Sequence, residues 1–143
     1  MNKLQDKILP FLLAMAFFSP QMMYHTSPVL NTSRIAEIRE LLAIQDPNAL
    51  IAYVFGADGR IMQKVAFCES GGTHYNKDGS VIENKKTGDV GLMQINESIW
   101  GKTAKKLGLD IYEMEDNVRM AKYILKVQGL NAWKPSFQCW RTL

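Results

Sequence analysis

The sequence predicts a mainly α domain with one small β excursion near its middle. Three observations lead there. Apolar residues recur at helical spacing on both sides of the middle, as in Ile61 and Val65 and again in Met114, Val118, Ala121, Ile124 and Leu125. Proline and glycine punctuate these runs at Pro47, Gly71, Gly108 and Gly129. Between them, "NKDGSVIENKKTGDV" is polar and turn-rich, with β propensity only at Val81 and Ile82, and reads as a small hairpin or long loop.

The chain opens with Lys3 and Lys7 and then an apolar run from Ile8 to Phe18. Such a run is shorter than the roughly 20 residues of a spanning helix. A charged start and a short apolar core predict a signal peptide or signal anchor over residues 1–27. No small-x-small site follows Phe18, so cleavage stays open, as does membrane attachment through residues 8–18. The alternative is a buried N-terminal helix.

Residues 28–56 read as a linker and lead-in helices. Asn31, Thr32 or Ser33 can cap a helix with Ile35, Ile38, Leu41 and Leu42 on one face. "QDPN" breaks it, and Pro47 suits the first turn of a second short helix ending near Gly56. Residues 57–143 then form the main domain. Asp58 is placed to cap a third helix running to Ser70. The chain is helical again from Glu97, with Gly108 ending one helix and Gly129 the next. Tyr123, inside that last helix, is expected in the core. The tail "NAWKPSFQCW" reads as aromatic and irregular.

Composition narrows the function classes. A chain of 143 residues with 47% hydrophobic and 22% charged residues is one small globular domain with an appendage, not a disordered chain. A net charge of +3, scattered along the sequence, is too mild to indicate nucleic acid and is compatible with a polyanionic surface. Cys68 and Cys139 belong to no C-x-x-C pair, and without supporting histidines they make a poor zinc site, so no metal is expected. In an exported protein they would form one disulfide, tying the chain end to the helix that carries Glu69. In a cytosolic protein they would be two unpaired thiols.

The stretch "AFCESGG" carries an acid where stability alone would not put one. Ile61, Val65 and Glu69 recur every four residues, with Met62 and Ala66 beside them, so Glu69 shares the apolar face. It also stands in the last turn, at the negative end of the helix dipole. Both effects disfavour the carboxylate and raise its pKa. Gly71 and Gly72 stop the helix and leave little bulk over the acid. A carboxyl kept protonated near neutral pH can act as a general acid. The alternative is an acid at a frayed helix end, reaching into water.

A second motif decides between them. "CESGG" together with "GDVGLMQIN", residues 88–96, resembles the lysozyme superfamily, and among it the small lytic transglycosylases of the SLT domain. The likeness covers residues 54–140, from "VFG" through the long helix to the Cys-Trp pair in "WKPSFQCW". It implies a lysozyme-like α+β fold, with residues 57–143 as the catalytic domain and Glu69 as the acid that protonates the glycosidic oxygen. Ser70 matches the residue that steadies the glutamate, Gln94 an amide lining the sugar cleft, and Met93 the residue packed beside it. Asn96 matches an asparagine that holds an N-acetyl group, and Asp89 a second carboxylate. Trp133 could also line the cleft, while Trp140 is read as packing.

One departure stands out. Many SLT enzymes carry Ala-Tyr-Asn-Ala-Gly after the long helix, with a tyrosine that reaches the glutamate. Here the chain reads "GLNAWKPS", so the residue supporting Glu69 is not legible. The resemblance implies cleavage of the N-acetylmuramic acid–N-acetylglucosamine β-1,4 link in peptidoglycan, giving 1,6-anhydro ends. The alternatives are a hydrolytic muramidase using Glu69 and Asp89, and a non-catalytic glycan-binding domain. No cofactor is implied. A monomer working outside the cytoplasm on glycan strands is expected.

Overall fold

In a computed structural model, residues 45–143 are described. The expected signal segment, residues 1–27, and the helix expected to carry Ile35, Ile38, Leu41 and Leu42 lie outside them. Helix α1 (Pro47–Phe55) begins where Asp46 accepts a hydrogen bond from the Asn48 N–H at 3.0 Å and Pro47 fills the first turn. Gly56 ends it at φ 59°, and a 3₁₀ turn over Gly56–Asp58 leads directly into α2 (Gly59–Ser70). Asp58 makes no side-chain cap, contrary to the sequence reading. The preceding 3₁₀ turn has already put its backbone in the helical region, whereas a capping side chain needs an extended one.

Helices α1 and α2 meet at Gly59, where a Cβ would stand 3.0 Å from the Ala52 Cα. The bare backbone permits that approach. Leu50, Ile51, Val54 and Phe55 of α1 are buried in one core with Met62, Val65 and Ala66 of α2. Each large side chain so buried contributes about 1.5–3 kcal/mol. Within the stretch expected as a lead-in, the described helix Pro47–Phe55 therefore shares one core with the helices after it. Gly71, at φ 70°, and Gly72 close α2 by donating to the Phe67 and Ala66 carbonyls.

The β excursion has three short antiparallel strands, β1 (Glu83–Asn84), β2 (Asp89–Val90) and β3 (Ile95–Asn96), in that order. Asp89 lies opposite Asn84 on one side and Asn96 on the other. Val81 pairs with Tyr75 in a separate bridge rather than in the sheet. Asn96 then caps α3 (Glu97–Lys106), accepting from the Ile99 N–H at 3.2 Å.

Helix α4 (Met114–Gln128) ends at Gly129 and buries Val118, Ala121 and Ile124 as the spacing predicts. Asn117 and Met120 complete its buried face. Tyr123 is not core: it lies off the buried stripe, 36% exposed, with its ring edge-on to Trp100. The tail, expected to be irregular, forms 3₁₀ turns over Gly129–Ser136 that are kinked at Trp133 (φ −108°, ψ 23°), followed by α5 (Phe137–Thr142). Trp133 and Trp140 anchor it in the core, and the Trp140 indole donates to the Trp133 carbonyl at 3.0 Å. Cys68 and Cys139 are disulfide-bonded and tie α2 to α5. No helix among the described residues is long and apolar enough to cross a membrane.

Candidate active site

Glu69 occupies the last turn of α2, partly buried beside the core residues Val65 and Ala66. Burial holds its pKa above the ordinary 4.5, and the nearby Asp89 charge pushes it the same way. A hydrogen bond from Ser136 opposes both. The Ser136 hydroxyl stands 2.5 Å from Oε1 of Glu69. Ser70, expected in that role, donates instead to the Ala66 and Leu92 carbonyls at 3.0 and 2.8 Å. It ties the end of α2 to the β2–β3 loop. Its side chain follows the helix axis back to the carbonyl four residues earlier, as a serine in a last turn does.

That loop, Gly91–Gln94, is held from every side by polar groups inside the core. Gly91 has φ 74°, and a Cβ there would come within 2.4 Å of the His74 ring and 2.6 Å of the Asn117 amide. Only glycine fits both the conformation and the space. The Leu92 N–H donates to His74 Nδ1 at 3.0 Å, which leaves Nε2 to carry the proton and donate to the Tyr112 carbonyl at 2.9 Å. Burial lowers the His74 pKa and keeps the ring neutral, outweighing the Tyr112 carbonyl and the Glu113 charge. Asn117 accepts from the Met93 N–H at 2.9 Å and donates to the Val90 and Ile111 carbonyls. The Trp133 indole donates to the Met93 carbonyl at 3.0 Å.

Met93 is therefore wholly buried, with both backbone groups engaged, and contact with a sugar is not open to its side chain. Gln94, the next residue, takes the left-handed conformation at φ 48°, which costs about 1–2 kcal/mol for a side chain other than glycine. Its amide donates to the Gly91 carbonyl at 2.8 Å. Strain of this kind persists only where the surroundings impose it, and here the four anchors of the loop do so.

A hollow of about 230 Å³ opens against this loop, lined among others by Asp89, Gln94, Asn96, Trp100, Gln128 and Trp133. Four of the residues singled out in the sequence thus share one wall. Glu69 is not among the residues lining the hollow; it is linked to Trp133 through Ser136, whose hydroxyl bonds Oε1 and lies 3.1 Å from the Trp133 carbonyl. A larger hollow between α1 and α4, about 870 Å³, holds none of the site residues. Asp89 is not a free carboxylate. Oδ2 accepts from the Thr87 hydroxyl at 2.5 Å and Oδ1 from the Asn96 amide at 2.9 Å. Asn96 spends its own side chain on that bond, on the Thr87 carbonyl and on capping α3.

The sequence reading missed His74, Asn117 and Ser136, as well as Thr87, which holds Asp89, and Trp100 and Gln128 in the lining of the hollow. Asn117 left a trace, as a polar residue on the buried stripe of α4, three positions after Met114 and four before Ala121. Replacing it by alanine is expected to cost about 3 kcal/mol, since a buried N–H and two carbonyls lose their partner together. Urea unfolding of Asn117→Ala checks this; a loss under 1 kcal/mol would mean the loop holds without it. His74 lies outside helix and strand and Ser136 at the end of the kinked 3₁₀ segment, and at neither does a periodic pattern mark a site position.

The family model of the transglycosylase SLT domain matches residues 48–131, more than half of the chain. No curated protein and no solved structure matches it.

Proposed function

The chain belongs to the transglycosylase SLT domain family, the lytic transglycosylases that act as peptidoglycan glycosidases, and from that premise we propose that it cleaves the N-acetylmuramic acid–N-acetylglucosamine β-1,4 bond and leaves 1,6-anhydro ends. Glu69 donates its proton to the bridging oxygen as the bond to C1 of the muramic sugar breaks. The sugar's own acetamido group supports the cationic centre. Its 6-hydroxyl then bonds to C1 while Glu69, now a carboxylate, takes the hydroxyl proton back. The proton count closes on Glu69 and no water is consumed.

The observation that carries this reading is the unequal state of the two carboxyls. Glu69 is partly buried, with its pKa raised, as an acid that must hold a proton requires. Both oxygens of Asp89 already accept hydrogen bonds from Thr87 and Asn96. A carboxylate so engaged is a weaker nucleophile and a better fixed charge, which favours a substrate that supplies its own nucleophiles. One observation favours the hydrolytic reading: Asp89 is near enough for its charge to be felt at Glu69, as a two-carboxylate glycosidase needs.

Asp89→Asn separates the two. Loss of electrostatic support is expected to slow muropeptide release 10–100-fold, about 1.4–2.7 kcal/mol of barrier. The products from purified sacculi are read by mass spectrometry, because anhydro and reducing ends differ by one water. Reducing ends from the parent, with Asp89→Asn as dead as a Glu69 variant, would establish the hydrolase instead. We place Gln94, Asn96 and Trp133 along the glycan strand. Export through residues 1–27 into an oxidising envelope compartment, and action as a monomer, complete the proposal. The Cys68–Cys139 bridge supports the compartment.

A further inference from the structure

The proposed reaction asks more of Glu69 than a raised pKa. The carboxyl must present its proton on one chosen oxygen, give it up, and be ready to take another at the same place. Oε1 accepts from the Ser136 hydroxyl at 2.5 Å. Oε2 has no protein hydrogen-bond partner among the described residues. The two oxygens are thus chemically distinct before any substrate arrives.

We propose that Ser136 is the positioning residue of Glu69: its hydroxyl pins Oε1 as an acceptor, leaving Oε2 to carry the mobile proton. The inference rests on the glycosidase reading above and names the residue that holds its acid. A hydroxyl has one proton, and a second acceptor, the Trp133 carbonyl, lies 3.1 Å from the Ser136 oxygen. That carbonyl already receives the Trp140 indole N–H at 3.0 Å. That carbonyl does not depend on the Ser136 proton, and the much shorter contact to Oε1 directs the proton to Glu69.

The chain around Ser136 is built to keep this contact. The 3₁₀ segment that delivers it is anchored by Trp133, whose indole is bonded to the Met93 carbonyl in the same loop that Ser70 ties to α2. Cys139, three residues further on, is bridged to Cys68, the neighbour of Glu69. The bridge and the indole therefore bracket Ser136 from both sides. Ser136 lies beyond the span matched by the family model, residues 48–131. The serine supplies from the tail the support that the absent tyrosine leaves unfilled.

The test follows the Glu69 carboxyl directly, by NMR of protein labelled with ¹³C at glutamate carboxyls, with Glu69→Gln identifying the resonance. A pH profile of muropeptide release accompanies it. The other titratable side chain whose charge reaches Glu69 among the described residues is Asp89, and it is left in place. Ser136→Ala is expected to move the Glu69 midpoint and the basic limb of the rate profile to higher pH, because a donor to the carboxylate is gone. The rate should fall about tenfold, the worth of one hydrogen bond to a charged group. Ser136→Thr, which keeps the hydroxyl, should restore both. Ser136→Gly serves the same purpose should the alanine variant fail to fold. An unmoved midpoint, or an equal loss of rate at every pH with the limb in place, overturns the proposal. Should the parent release no muropeptides, the glycosidase reading fails, and the NMR midpoint still decides whether Ser136 governs Glu69.

Discussion

Glu69→Gln is expected to lower muropeptide release by about 10³-fold or more while making the protein more stable at neutral pH. The amide keeps the size of the side chain and can still accept from Ser136, but it has no proton to transfer. The gain in stability has a separate origin. Burial and the Asp89 charge raise the folded-state pKa of Glu69 above the 4.5 of an unconstrained glutamate. The folded state thus binds this proton more tightly than the unfolded chain does. The stability Glu69 contributes is fully present below about 4.5 and is lost as pH rises through the raised value. At neutral pH the parent is therefore penalised relative to a glutamine, which does not titrate. Thermal melts of both proteins at pH 4 and pH 7 should show the variant ahead only at pH 7. Near-parental turnover in Glu69→Gln would remove Glu69 from the chemistry. A variant no more stable at pH 7 would show that the environment of Glu69 does not oppose its charge.

Opening the Cys68–Cys139 bridge is expected to cost about 4 kcal/mol. The bridged residues are 71 apart in sequence, and closing a loop of that length removes a large share of the unfolded chain's freedom. A chain of this size has about 5–15 kcal/mol in total to lose, so the double variant Cys68→Ala/Cys139→Ala should sit near its folding limit. The effect should reach catalysis as well. One half of the bridge adjoins Glu69, and the other lies three residues from Ser136. With the clamp gone, α5 and the segment before it can swing away from α2. Urea unfolding of the bridged and double-variant proteins measures the first effect, and muropeptide release at a temperature where both are folded measures the second. A stability loss under 1 kcal/mol would show that the Trp133–Trp140 anchor alone holds the tail.

Local chemistry was enough, from the sequence by itself, to place much of this molecule. Pro47, Gly71 and Gly129 mark helix ends because each acts through its own φ or through carbonyls within one turn. Glu69 was legible on an apolar face because a period near four residues is a property of any helix. The pairing of "CESGG" with "GDVGLMQIN" identified the family because both motifs are short and contiguous. Tertiary structure alone decided what touches the acid. Ser136 is 67 residues from Glu69, in a stretch where the sequence shows no period, and a hydroxyl is equally at home in water or on a carboxylate. Ser70 stands next to Glu69 in the chain, yet helix geometry turns its side chain back to Ala66 and across to Leu92. Asp89 has the same carboxyl group whether free or held, and only the sheet register that sets it opposite Asn96 engages its oxygens. A hydrogen bond between distant residues depends on where the intervening elements pack, and packing leaves no periodic mark on the residues it brings together.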